Sequence, residues 1–248
     1  MPKLGDNIEG FRTPNNFGFS GVRADELEAS EYTLVTIVVD CSYSIDPFRA
    51  ELVQCLKTIF QTCNDNRNPR RENLLVRLVT FSDDVREAHG FKLLGQINES
   101  DYDNAVVPRG ATALFDGAHT AIDASLAYAR DLAENQGITV NAINFILTDG
   151  MDNRSKYTPG QIADLVRDAK RDEYLESILN ILIGVDTTDS HVKAELDRLN
   201  SDAGLDQFVD IGAADSQTLL KLAEFVSRSI SSQSQSLGTG GPSKTLTW

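Results

Sequence analysis

Two rhythms of apolar residues alternate along the chain. In the segment TLVTIVVD, residues 33–40, Val35, Ile37, Val38 and Val39 are β-branched and nearly continuous, as a strand buried on both faces requires. The same signature returns in LLVRLVTF at 74–81, at 139–148, at 178–185 and, shorter, at 207–211. Between these runs the apolar residues change to helical spacing. Phe48, Leu52, Cys55, Leu56, Ile59, Phe60 and Cys63 mark one helix, which Asp46-Pro47 is expected to open as N-cap and first helical residue. Phe115, Ala118, Ile122, Leu126 and Leu132 mark a second over 114–134. Thr158-Pro159 opens a third, to about 173, with Ile162, Leu165, Val166 and Ala169 on one face. Val192, Leu196 and Leu199 mark a fourth over 190–200, and Asp215 or Ser216 caps a fifth carrying Leu219, Leu220, Leu222, Val226 and Ile230.

Strands alternating with helices predict an α/β fold: a Rossmann-like, doubly wound, mainly parallel central sheet with helices on both faces. The segment 85–94 follows the second strand after only Ser82-Asp83-Asp84. So short a connection predicts one antiparallel edge strand. Three regions fall outside the alternation. Residues 1–30 read as an N-terminal arm. Its first 23 residues, rich in Gly, Asn and Pro, predict no regular element, but Phe11, Phe17 and Phe19 predict that it docks. Residues 24–30 suggest a short acidic helical turn. The loop 95–109 is long for a compact domain, which points to a functional role. From Ser231 the composition turns to Ser, Gln and Gly, so 233–248 read as a flexible tail after a domain at 31–232. Leu246 and Trp248 are candidates for docking at its end.

The 248 residues suffice for one sizeable core. A net charge of −14 disfavours nucleic acid and anionic membrane surfaces as partners. Cys41, Cys55 and Cys63 are odd in number and lack zinc-site spacing, which predicts free thiols in a reducing compartment. The N-terminus lacks a continuous apolar segment of the secretory kind, and no run is long enough to cross a bilayer. A cytoplasmic location is the expectation.

The chemistry concentrates where strands end. After Val39 the oxygens of Asp40, Ser42 and Ser44 come at alternate positions. Short oxygen-bearing side chains in a turn beyond a strand can converge on a hard divalent cation, although Asp and Ser also crowd turns for local reasons. Thr112 follows in RGATALFDG, just before a helix. Thr148-Asp149-Gly150 closes a second apolar strand. DxSxS, then Thr, then TDG, in strand-loop-helix context, resembles the von Willebrand factor A domain over about 31–232. The resemblance implies a complete metal-ion-dependent adhesion site made of Asp40, Ser42, Ser44, Thr112 and Asp149. It implies Mg²⁺, or else Mn²⁺ or Ca²⁺, as the metal, and a partner protein's Asp or Glu in the open coordination position. Thr112 would couple partner binding to conformation. A second metal is not expected, since Ile45-Asp46-Pro47-Phe48 offers no paired carboxylate. Asp152 and Asn153 are expected to be solvated loop residues. His89, His119 and His191 form no ligand pattern, and His119 is expected to be a surface or capping group.

Within that family the chain is similar to stand-alone bacterial intracellular domains, including the tellurite-resistance-associated type encoded beside protein kinases and phosphatases. That likeness implies a non-enzymatic scaffold or regulator in a stress-response or signalling complex, with serines between 227 and 243 open to phosphorylation. The alternative is a metal-dependent hydrolase or phosphotransferase using the same Asp/Ser/Thr site. Against it, no second carboxylate neighbours Asp40, and no Ser-His-Asp, Cys-His or GxGxxG arrangement is readable.

Overall fold

In the computed structural model, which describes residues 7–239 and 243–248, strand β3 (Glu31–Asp40) runs through the middle of the sheet. Its odd positions Val35, Ile37 and Val39 enter one apolar cluster, and Leu34 and Val38 enter the other. Period-two alternation thus feeds two cores from one continuous apolar run. β4 (Leu74–Phe81), β6 (Thr139–Thr148), β7 (Leu175–Gly184) and β8 (Gln207–Asp210) lie parallel to it and divide their side chains the same way. Helices α1 (Arg49–Cys63) and α5 (Ser216–Ser236) cover one face; α2 (Leu114–Gln136), α3 (Pro159–Ala169) and α4 (Ser190–Asp202) cover the other. From β3 the chain winds to β4 on one side and later to β6 on the other. The C-terminal end of β3 is therefore a topological switch point, where loops diverge and leave a crevice.

The fold class is the expected one, with differences at its margins. β5 (Val85–Leu93) pairs antiparallel with β4 as predicted, yet it is not the last strand. The stretch expected to lack regular structure forms a hairpin, β1 (Ile8–Arg12) and β2 (Gly18–Val22), and β2 pairs parallel with β5. The expected docking of its aromatics explains the hairpin. Phe11 stacks on Phe19 at 5.2 Å, and Phe11, Phe19 and Phe91 all surround Tyr128 of α2. Gly90 lets the strands close up, because a Cβ there would lie 2.0 Å from the Ser20 carbonyl oxygen. Residues 1–6 of the arm lie outside the described residues.

A buried charge fastens this hairpin. Arg77 of β4 is wholly buried, with its guanidinium 5.7–5.8 Å from the ring centres of Phe17, Phe19 and Phe91. Its Nε donates to Glu87 at 2.8 Å, and the other Glu87 oxygen accepts from both the N–H and the hydroxyl of Ser20.

Helix boundaries also differ. Asp46 and Pro47 lie in a 3₁₀ turn, Tyr43–Phe48, that precedes α1, so Asp46 does not cap it. α3 ends at Ala169, short of the predicted 173, whereas its Thr158 cap and Pro159 stand as predicted. The flexible tail expected at 233–248 starts later, because α5 continues to Ser236. Gln233 is buried. Its carbonyl accepts from Asn141 at 2.7 Å and its amide donates to the Ala142 carbonyl at 3.1 Å. A polar helix end is stable here because a polar strand residue meets it. Ser227, Ser229 and Ser234 are buried, so they are not open to a kinase in this fold. Leu246 packs on the α1/α5 side, and the Trp248 ring meets Phe225 edge-on at 5.7 Å. Residues 240–242 of the tail lie outside the described residues.

All three cysteines are free and buried, and burial raises the thiols of Cys55 and Cys63 to about 12. No helix among the described residues is long and apolar enough to cross a membrane.

Glu87→Ala would strand a buried guanidinium and should destabilise the protein by about 3–5 kcal/mol in urea unfolding. The paired replacement of Arg77 by Met and Glu87 by Gln should cost clearly less, since no unpaired charge remains. Equal losses would contradict a charge-based fastening.

Candidate metal centre

Parallel pairing of Val39 with Leu147 sets the ends of β3 and β6 side by side. Asp40 and Thr148 therefore meet across the sheet. The Thr148 hydroxyl donates to Asp40 Oδ2 at 2.7 Å and accepts the Gly150 N–H at 3.2 Å. The other Asp40 oxygen accepts the Ser42 N–H at 2.8 Å. Ser44 donates to Asp149 Oδ1 at 3.0 Å, and its own oxygen lies 3.0 Å from the Ser42 hydroxyl. A hydroxyl has one proton, so Ser42 donates to Ser44. Asp40, Ser42, Ser44 and Asp149 thus form one hydrogen-bonded chain.

Thr112 joins through its backbone. Its N–H donates to Asn153 Oδ1 at 2.8 Å, and its carbonyl accepts the Asn153 N–H at 3.0 Å. Arg109 N–H binds the Cys41 carbonyl and Ala113 N–H binds the Ser82 carbonyl, both at 2.7 Å. Gly110 adopts φ +61°, and a Cβ there would come within 2.1 Å of Asp83, whose carboxylate accepts the Ala111 N–H. The three loops carrying the five residues are hydrogen-bonded to one another.

Asp152 and Asn153 are loop residues as expected, Asn153 exposed and Asp152 half-buried, but their side chains also accept backbone N–H groups. Asp152 accepts the Phe115 N–H at 3.4 Å and the Ser155 N–H at 3.4 Å. Asp116 accepts the N–H groups of Lys156 and Tyr157. A sequence signal for this was present. α2 begins after Ala113, which cannot cap a helix, so its first N–H groups need acceptors from elsewhere. His119 is not a surface group. It is buried and stacks on Tyr157 at 3.7 Å. Asp186 joins the site's field unforeseen: it sits at φ +56° and its charge acts on Asp149.

Asp40, Ser42 and Thr112 are buried, Asp149 is partly buried and Ser44 is exposed. The approach to the cluster is from the Ser44 and Asp149 side. Burial raises the Asp40 carboxyl to about 6, with the charge of Asp149 adding to the rise and the Ser42 and Thr148 donors opposing it. Burial also raises Asp149. Two carboxylates that are costly to ionise, beside three neutral hydroxyls, suit a hard divalent cation that takes oxygen ligands. Among the described residues no group of three or more His, Cys, Asp or Glu could hold a metal. A cation here would need oxygen donors beyond the carboxylates, and Ser42, Ser44 and Thr112 carry hydroxyls on the same loops.

Comparison with known proteins bears on this arrangement. The model of the von Willebrand factor type A domain matches residues 35–225. No curated protein sequence matches significantly. Among solved structures, proximal thread matrix protein 1 of the mussel byssus superposes with a TM-score of 0.54 at 21% identity, over 84% of this chain and 47% of that one. The same mussel protein with a zinc-occupied MIDAS motif gives 0.53 at 22% identity, over 82% and 46%. The pilus adhesin SpaC of Lactobacillus rhamnosus GG, in its open conformation, gives 0.59 at 12% identity, over 93% and 35%. At these identities the likeness is one of fold. This chain spans about half the length of the mussel chains it matches.

The raised Asp40 carboxyl gives a pH test. Its native value of about 6 exceeds the ordinary 3.8, so the native state holds its proton longer than the unfolded state does. Stability from this group is full below about pH 4 and is lost as pH rises through about 6. A cation needs the ionised form, so the rise in melting temperature caused by Mg²⁺ should be small near pH 5 and reach a plateau above about pH 7. An Mg²⁺ effect of equal size at both would contradict the assignment.

Proposed function

We propose that this chain, which belongs to the von Willebrand factor type A domain family, is a non-enzymatic module that binds a partner protein through a divalent cation. Asp40, Ser42, Ser44, Thr112 and Asp149 hold the cation, and a partner carboxylate completes its shell. The observation that carries this reading is the hydrogen-bonded chain running from Asp40 through the backbone N–H of Ser42 and the hydroxyls of Ser42 and Ser44 to Asp149 at the C-terminal end of the sheet. Three neutral and two anionic donors would leave a small divalent ion, which prefers six oxygens, in need of at least one more, which an incoming carboxylate or water would supply. Mg²⁺ is the favoured occupant, because hydroxyl-rich oxygen sites suit small hard ions. A relative of the same fold carries zinc in its MIDAS motif, which fits a divalent ion here without choosing it. The narrower role suggested by the sequence, a scaffold in a cytoplasmic bacterial stress-response or signalling complex near a kinase and phosphatase, belongs to the same proposal.

Calorimetric titration with Mg²⁺ tests the reading. Wild type should bind one ion, and Asp40→Ala should bind none while keeping its circular dichroism spectrum. Thr148→Val removes the hydroxyl that donates to Asp40 and accepts the Gly150 N–H, leaves the Ser42 N–H on Asp40, and should weaken binding about ten- to hundredfold. Unchanged Mg²⁺ affinity in Asp40→Ala would sink the metal assignment. Metal-dependent turnover of a phosphoester, lost in the same variant, would overturn the non-enzymatic part.

A further inference from the structure

Large apolar side chains are exposed at only five places among the described residues: Tyr43, Val107, Met151, Leu220 and Trp248. Three of them stand on the loops that carry the proposed ligands. Tyr43, 70% exposed, lies between Ser42 and Ser44. Met151, 38% exposed, lies two residues beyond Asp149. Val107, 47% exposed, is held beside the end of β3: its backbone meets the Cys41 thiol, and neighbouring Val106 and Arg109 are tied to Arg49 and to the Cys41 carbonyl. Single exposed apolar residues are ordinary on a protein surface, but three grouped around one polar site are not scattered. None of the three is needed to hold a cation. Met151 also lines a cleft of about 200 Å³, whose other walls are part apolar, from Leu114, Phe115, Leu196 and Leu199, and part charged, from Glu195 and Arg198. The exposed charges on the same loops are of both signs, acidic Asp46 and basic Arg154, so charge alone does not mark the surface.

We propose that Tyr43, Val107 and Met151 form a collar that selects a partner segment in which a single carboxylate is flanked by large apolar side chains. The proposal rests on the metal reading above. The cation takes the carboxylate, and the collar takes the flanking apolar groups. Tyr and Met are side chains that bury well at interface centres, where apolar contacts surround a polar anchor. A phosphate cluster or a polyacidic stretch fits this surface poorly, because it offers nothing to the collar.

The test uses the full chain with Mg²⁺ and three short capped peptides: Asp between two leucines, Asp between two serines, and Asn between two leucines. Binding is followed by NMR titration and Mg²⁺ uptake by calorimetry. The Leu-flanked Asp peptide should bind about tenfold or more tighter than the Ser-flanked one. The Asn peptide should not bind, and EDTA should abolish all binding. The combined variant Tyr43→Ser, Val107→Ser, Met151→Ser should lose the preference and still take up Mg²⁺ as wild type does. Should that variant not fold, Met151→Ser alone should still narrow the preference. Equal binding of the two Asp peptides to wild type overturns the collar and leaves the metal reading standing, as does a preference undiminished in folded variants. Absence of Mg²⁺ uptake by wild type overturns the metal reading and the collar with it.

Discussion

A carboxylate without exposed surface terminates the central strand, and the architecture around it answers to that group. Asp40 follows Val38 and Val39 into a position that apolar packing alone would fill with another aliphatic side chain. An ionised carboxylate there is costly unless donors or a cation meet it. The fold supplies a hydroxyl from the neighbouring parallel strand and a backbone N–H from two residues on. Both depend on the register between β3 and β6. A shift by one residue would carry Thr148 to the opposite face. Register, in turn, is enforced by the two apolar cores on either side of the sheet, so the packing of residues far from the site determines whether the carboxylate is satisfied.

The second element of the design is the bracing of the loops. Loops at the C-terminal edge of a parallel sheet are usually its mobile parts. Here Asn153 holds Thr112 by both backbone groups, Asp83 holds the Gly110 turn, and Asp152 and Asp116 accept backbone N–H groups around the start of α2. Positioned oxygen donors lose less entropy when an ion binds than free loops would. The same bracing links the site to α2, and through Tyr128 and its aromatic neighbours to the N-terminal hairpin. Acidic side chains thus have two tasks in this protein. Asp40 and Asp149 face the proposed cation, whereas Asp83, Asp116 and Asp152 serve as acceptors for backbone N–H groups.

Much of this was legible from residue order. The runs ending at Asp40 and Asp149 announced themselves as strands because both faces are buried, and Thr158-Pro159 announced the start of α3. What escaped was structure held by polar or aromatic pairing instead of apolar periodicity. The β1/β2 hairpin contains too many Gly and Asn residues to look like a sheet, and becomes one only against Tyr128, Glu87 and buried Arg77. The end of α5 looked like a linker because its serines and glutamines were counted as solvent-seeking, yet Gln233 has Asn141 waiting for it. Asp152 and Asn153 are the solvated loop residues expected, but their bracing of Phe115 and Thr112 was not legible, because these partners are distant in sequence. In each case the deciding contact is non-local and polar, which neither composition nor spacing records.

The measurement that bears most directly on this account is a crystal soaked in Mn²⁺, with anomalous scattering recorded at the manganese edge. One strong peak should appear at the end of β3, surrounded by the oxygens of Asp40, Ser42, Ser44, Thr112 and Asp149, and it should vanish in crystals of Asp40→Ala. A manganese peak elsewhere on the surface, with none at this position in the wild-type crystal, would contradict the account.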